Sequence, residues 1–264
     1  MSEKLSAQDV KALGEDLNDL LRIQTLPVGM KLFENLDEMN AIPGLRKPTA
    51  GKRFGTCQLV TQSRIAGFTL GIVANNLLPR GNCGAVPGLN PVGPEYLSGE
   101  KMGGVWFKDR EQAKAHQEQM PRIAPGRYQG LVVSPLRSAR LDPPDVVLFY
   151  GSPGQMILFI NGLQHGNYKR FDFSVTGESA CADSWGLALK TREPSLSIPC
   201  YAERRFGGVQ DHEMLMALPP ADLKRGIEGL KALRKAGLRY PIFPYGSSID
   251  PQEGLAVSYG ERKE

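Results

Sequence analysis

A chain of 264 residues with 41% hydrophobic and 23% charged content has the make-up of an ordinary globular protein and the length to bury most of its apolar surface. Its formal net charge of +4 is mild, and lysine and arginine are spread along it with no basic tail, which argues against a nucleic-acid-binding face. No apolar run approaches the roughly 20 residues that span a bilayer. The opening "MSEKLSAQDVKALGEDL" is acidic and amphipathic with no apolar centre, unlike a signal peptide, so a cytoplasmic protein with reduced cysteines is expected. The 30 glycines and 20 prolines punctuate apolar stretches without forming low-complexity blocks, as in a loop-rich α+β protein.

The first predicted element is a helix over 6–21, with Val10, Leu13, Leu17 and Leu20 at helical spacing and Ser6 as N-cap. "PVGMKLF" (27–33) reads as a strand carrying Lys31, and 40–52 as a loop. A short helix over 57–64 and a strand over 68–75 follow. The glycine- and proline-rich stretch 79–104, containing Cys83, is expected to cross the surface, and 107–120 to be a solvated helix stopped by Pro121. The two clearest strands are 128–136 and 145–151. "SPGQMILFINGLQ" (152–164) then makes a strand–turn–helix unit, with Ser152 able to cap and Pro153 in the first turn. Thereafter come a strand over 171–177, a helix over 179–190, a strand over 195–200, a strand over 211–219 and a helix over 220–237 that ends at Gly237. No composition break or Ser/Gly linker divides the chain. A single domain over 1–264 is expected, with a mixed β-sheet flanked by helices and an irregular tail over 239–264.

Two stretches share an outline. "RFGTCQLVTQSRIAGFTLGIVANNLLPRGNC" and "FSVTGESACADSWGLALKTREPSLSIPC" each lead from a phenylalanine-containing segment and small residues into a cysteine at a helix start. A helix and an apolar segment then run to a second cysteine. Two pseudo-symmetric halves are one expectation from this pattern, with all four cysteines at one centre.

The segments "PVGMKLF", "RFGTCQ", "GNCGA", "SGEKMGGVWF", "CADS" and "SIPCYAERRFGGVQDHEMLMALP" resemble domain-of-unknown-function family 169, an uncharacterised family of bacteria and archaea. The resemblance runs over most of the chain, from residue 25 to about 235, with its segments in the same order. It implies no activity. All four cysteine positions fall in family-like motifs, as do Gly84 and the pair Arg204–Arg205.

Cys57, Cys83, Cys181 and Cys200 are the four cysteines of the chain. Free cysteine is among the most buried residue types, so packing alone is the plain expectation for any one of them. Taken together, four thiolates suit a tetrahedral zinc or an iron–sulfur cluster, although no CxxC pair is present to organise the ligands locally. A second chemistry is nucleophilic: Cys57 and Cys181 each open a predicted helix, where the dipole favours a thiolate. It requires a base, and of the three histidines His116 sits on a charged helix, His165 follows a helix and His212 lies near a strand start. Glu178 and Asp183 flank Cys181 as a base or as helix-capping acids.

Arg204 and Arg205, before "FGG", are candidates for binding a carboxylate or phosphate. The turn holding Ser152 and Gly154 is an anion-binding position of the strand–helix kind, but it lacks both the GxGxxG and GxxxxGK[ST] spacings, so nucleotide binding is not expected. Lys31 in an apolar strand would face a polar cavity or mark an edge strand. The leading expectation is a cytoplasmic protein with a four-cysteine metal or iron–sulfur site beside an anionic-ligand pocket, in redox or accessory chemistry. The alternative is a cofactor-free protein that binds an anionic metabolite or uses one thiolate, with the remaining cysteines structural. A small anionic molecule is the expected partner in either case, and homo-oligomerisation is left open.

Overall fold

The computed structural model describes residues 5–49, 51–78 and 81–242. Six strands form one sheet: β1 (Val28–Phe33), β2 (Leu70–Val73), β3 (Gly130–Pro135), β4 (Val146–Gly151), β5 (Ser195–Ser197) and β6 (Met214–Leu218), in the order β2-β3-β1-β4-β6-β5. The α+β architecture is the expected one. The ladder itself is antiparallel at all five pairings of these strands, where a mixed sheet was expected. Parallel pairing occurs among the described residues only in isolated bridges such as Arg46↔Leu70.

The connectivity gives the physical reason. β1 and β2 run in the same direction and are joined through helix α3 (Thr56–Ala66), as in a crossover unit. β3 inserts between them and pairs antiparallel with both, so the parallel strands never touch. β4 and β5 repeat this arrangement, with β6 inserted. Each half is therefore a split β-α-β unit.

The two halves are related by a pseudo-two-fold axis. The strand order reads the same from either edge when β1, β2 and β3 are matched with β4, β5 and β6. The registers agree residue by residue. Leu131, flanked by Leu32 and Ile72, corresponds to Leu215, flanked by Tyr150 and Ser197. At the seam Gly29 pairs with Val147, which is its own counterpart, so the axis passes through that pair.

Helices cover both faces. Alternation along β1 and β4 sends Met30, Leu32, Leu148 and Tyr150 to one face, where they pack with Leu59 and Val60 of α3 and with Trp185, Ala188 and Leu189. Val147 and Phe149 point to the other face, against α1 (Ala7–Leu21), α7 (Pro153–His165) and α10 (Pro220–Lys235). α7 and α10 approach so closely that a Cβ added at Gly229 would lie 1.9 Å from the Gly162 carbonyl oxygen. No helix of the described residues is long and apolar enough to cross a membrane.

Several local expectations change. Residues 171–177 form no strand, and Phe171 and Phe173 stack on each other instead. The stretch expected to cross the surface at 79–104 is largely buried from Asn82 to Leu89, with Val86 and Leu89 in the main core. The segment after Cys200, for which no element was predicted, is a helix, α9 (Tyr201–Gly207). The tail beyond Ile242 lies outside the described residues. Replacing Gly229 by Ala should cost roughly 3 kcal/mol, the upper end for overpacking a core, because backbone and not a flexible side chain stands in the way. Urea denaturation of the variant would measure this as a lowered midpoint at unchanged slope.

Candidate functional site

Cys57 and Cys181 occupy matching places in the two halves. Each is the second residue of a helical run: α3 starts at Thr56 after the N-cap Gly55. The second run starts at Ala180 after Ser179, passes through a π-helical turn (Ala182–Gly186) and continues as α8 (Leu187–Thr191). Cys83 lies in the short helix α4 (Asn82–Ala85) beyond β2, and Cys200 is the N-cap of α9 beyond β5. The matching extends to what the sulfurs meet. The backbone N–H of Thr56, just before Cys57, favours a thiolate at Cys83. The N–H of Ala180, just before Cys181, does so at Cys200.

The four thiols gather over one face of the sheet. A Cβ at Gly55 would stand 3.2 Å from Cys57 Sγ and 3.6 Å from Cys83 Sγ, so glycine there lets two sulfurs crowd one backbone atom. Gly207, at the end of α9, closes on the opposite side of Cys57, where an added Cβ would lie 3.3 Å from its Cβ. Cys181 lies within electrostatic reach of Cys83 and Cys200, and Cys57 within reach of the same two. Cys57, Cys181 and Cys200 are buried and Cys83 is partly buried. Among the described residues, no three His, Cys, Asp or Glu side chains stand at the spacing of a single bound ion.

Burial dominates the acid–base behaviour. The Cys57 thiol is pushed up to about 12, first by desolvation and then by Cys83, Glu203 and Cys200. Desolvation likewise raises Cys83, Cys181 and Cys200. The two helix-start cysteines are where the sequence places them, but the shift runs opposite to the dipole expectation, because loss of water outweighs it.

Glu203 was not singled out in the sequence. It lies one helical turn beyond Cys200, is 3% exposed, and is within electrostatic reach of Cys57, Cys181 and Cys200. Its Oε2 has no hydrogen-bond partner. Desolvation raises its carboxyl to about 7 against the pull of Arg64 and Arg204. Of the eight buried side-chain polar atoms without a hydrogen-bond partner among the described residues, two line this site and are met by no other group: Asn82 Oδ1 and Glu203 Oε2; the Thr56 hydroxyl reaches Cys83. Each belongs to a residue beside or one turn from a cysteine. The only sequence signal for Glu203 was an acid between the cysteine and two arginines, which reads equally well as a solvated charge pair.

Beside this cluster lies a buried ion pair. Arg64, 2% exposed, donates through Nη1 to Glu213 Oε1 at 2.6 Å and through Nη2 to Oε2 at 3.1 Å, and its guanidinium lies 4.0 Å from the Tyr150 ring centroid. Burial alone would raise Glu213, but Arg64 and the Gln210 N–H hold it below the usual range. Asp183 accepts from the backbone N–H and hydroxyl of Thr176, which accounts for its carboxylate. Glu178 accepts from the Ser179 hydroxyl and faces Cys83, Cys181 and Cys200.

The other anticipated site residues are dispersed. Arg204 is near the cysteines, but its donors go to the carbonyls of Pro199 and Gln210 and to Asp211. Arg205 is exposed on the same helix. Lys31 lies on a central strand, facing away from the cysteines, and donates to the carbonyls of Asp142 and Pro143. Ser152 caps α7, and Gly154 lies in its first turn, in the layer across the sheet. His116, expected to be solvated, is buried against Phe107, with ring centroids 4.8 Å apart. His165 and His212 are exposed.

The model of DUF169, described as an uncharacterised ArCR family, matches residues 16–229. An uncharacterised protein of Methanocaldococcus jannaschii is 25% identical over 235 residues, which cover 86% of this chain and 97% of that one. No solved structure gives a significant match.

Two outcomes follow from the buried charges. Arg64→Ala, which strands Glu213, should destabilise the fold by about 3–5 kcal/mol, with part recovered in the Arg64→Leu/Glu213→Leu double variant; chemical denaturation measures both. Between pH 4.5 and about 7 the folded chain keeps the Glu203 proton that the unfolded chain releases, so this group subtracts stability as pH rises through that window. Without metal, Glu203→Gln should match wild type near pH 4 and exceed it by up to about 3 kcal/mol at pH 8, read from denaturation midpoints across pH.

Proposed function

We propose that this chain, which belongs to the DUF169 family, uses Cys57, Cys83, Cys181 and Cys200 as the thiolate donors of an iron–sulfur centre. The observation that carries the reading is the gathering of two matched cysteine pairs, one from each half of the sheet, over a single face. Packing alone gives no reason for the pairs to sit in the same places of both halves. The unpartnered oxygens of Asn82 and Glu203 lend it further support, since most buried polar atoms in proteins are paired.

A cluster is proposed in preference to a single zinc ion because its ligands stand farther apart than those of one ion. Metal–sulfur bonds of 2.3 Å in a tetrahedron hold sulfurs about 3.8 Å apart. No three side chains among the described residues meet such a geometry, whereas a multi-iron cluster spans wider sulfurs. When bound, such a centre supplies one-electron transfer, consistent with redox or accessory chemistry. The chain's own part is to hold four sulfurs, to surround them with Trp185, Val86 and Leu89, and to release thiol protons on binding.

The thiolate-nucleophile alternative has less support. All four thiols are raised, and the exposed His165 and His212 and the Phe107-packed His116 offer no paired base. The anionic-ligand component rests on Arg205, since the donors of Arg204 are engaged.

The test is anaerobic reconstitution with ferrous iron and sulfide, followed by the visible spectrum and assays of iron and labile sulfide. Broad absorbance in the visible, with iron and sulfide in similar amounts, is expected, and Cys181→Ser should lose most of both while staying folded by circular dichroism. Because burial keeps the thiols protonated, loading should increase as pH rises across the neutral range. Zinc in place of iron would keep the cysteine centre and rule out the cluster. A folded, colourless chain holding no metal would end the reading altogether.

A further inference from the structure

A cleft of about 530 Å³ lies between helix α6 (Arg110–Gln119) and residues 174–176, with Asp183 of the π-helical turn also lining it. Phe107, Pro121, Val175 and Leu187 give it apolar walls, and its volume is that of a small-molecule site. No lysine or arginine lines it.

The polar group that α6 contributes is His116, 8% exposed, and a relay of hydrogen bonds fixes its tautomer. Arg122 donates through Nη2 to Gln117 Oε1 and through Nη1 to the Gln117 carbonyl at 2.9 Å. A guanidinium only donates, so the amide oxygen of Gln117 faces Arg122 and its amide nitrogen faces His116 Nδ1, 3.4 Å away. Nδ1 therefore accepts, and the imidazole carries its proton on Nε2. That N–H is buried and has no partner, although most buried donors in proteins are paired. The Phe107 ring, 4.8 Å away between centroids, packs against the imidazole.

Asp183 lines the same cleft, within electrostatic reach of His116. The Thr176 N–H anchors its Oδ2 at 2.8 Å. The Thr176 hydroxyl stands 3.1 and 3.0 Å from the two carboxylate oxygens and 2.8 Å from the Glu178 carbonyl, but it has one proton to give. Asp183 is thus oriented by Thr176 without being saturated by it, and keeps lone pairs for a further donor. One open donor and one open acceptor line a single cleft and do not bond to each other.

We infer that this cleft binds a small uncharged molecule that offers a hydrogen-bond acceptor to His116 Nε2–H and a donor to Asp183, as the edge of an amide or lactam does. A small anion would meet the Asp183 carboxylate with no lysine or arginine to offset it, and an ammonium would leave the His116 donor unanswered. The site is independent of the iron–sulfur reading.

The test titrates three probes into the full chain carrying isotope-labelled histidine and follows the His116 Nε2–H resonance. Carbostyril is a lactam fused to a benzene ring, quinoline lacks the lactam edge, and quinaldate is an anion. Carbostyril should move the resonance and bind at least about tenfold more tightly than either comparison, since a site built for hydrogen bonds rejects an analogue that lacks them. His116→Phe removes the donor but keeps a ring against Phe107, and Asp183→Asn turns one acceptor into a donor. Each should weaken carbostyril binding at least about tenfold with an unchanged circular dichroism spectrum, and His116→Phe alone decides the matter if Asp183→Asn does not fold. Quinoline binding as tightly as carbostyril would reduce the site to an apolar cleft and overturn the inference. So would tighter binding of quinaldate, or a His116 resonance that no probe moves. A chain that takes up no iron yet binds carbostyril in this way would lose the cysteine centre and keep this site.

Discussion

The seam between β1 and β4 is the constraint on which the rest of the molecule depends. Three antiparallel pairs, Val28↔Leu148, Gly29↔Val147 and Met30↔Val146, join two split β-α-β units into one sheet, and the axis through Gly29 and Val147 sets their relation. Glycine is required there for close approach: a Cβ at Gly29 would come within 2.8 Å of Pro144. Because side chains alternate strictly along a strand, a slip of one residue at this seam would turn one half's core face outward. The cysteine pairs of the two halves would then lie on opposite sides of the sheet.

With that register, each element that carries a cysteine is placed by the same local means in both halves. A helix begins one residue before Cys57, Cys83 and Cys181 and one residue after Cys200, and small residues allow the sulfurs to come near backbone, as at Gly55 beside Cys57 and Cys83 and at Ala180 beside Cys200. The halves are not copies in every respect. The second carries α7 before its cysteine helix and a π-turn within it, and π-turns are found most often at functional sites.

The contrast between two buried polar regions separates structure from function. Around Arg64 the two-pronged pair with Glu213 makes a buried tie between α3 and the start of β6, although Arg64 Nε and the neighbouring Ser63 hydroxyl have no partner. At the cysteine cluster Asn82 Oδ1 and Glu203 Oε2 lack partners, and four thiols and the Glu203 carboxyl are raised by desolvation.

Much of the α+β reading was legible because it depends on local pattern. The helical spacing of Val10, Leu17 and Leu20, the Ser6 and Ser152 caps, and the apolar runs of β3 and β4 each declare their element within a dozen residues. The matching outlines around the two cysteine pairs were legible for the same reason. Other features depend on partners distant in sequence, and only the tertiary structure decided them. The insertion of β3 and β6 made the ladder antiparallel, residues 171–177 took no place in the sheet, and the packing of α9 on α3 buried Glu203. Residue types and spacing specify which thiols are available. Whether they meet, and whether an acid one turn from Cys200 faces water or sulfur, depends on the register of one strand pair and the burial that follows from it.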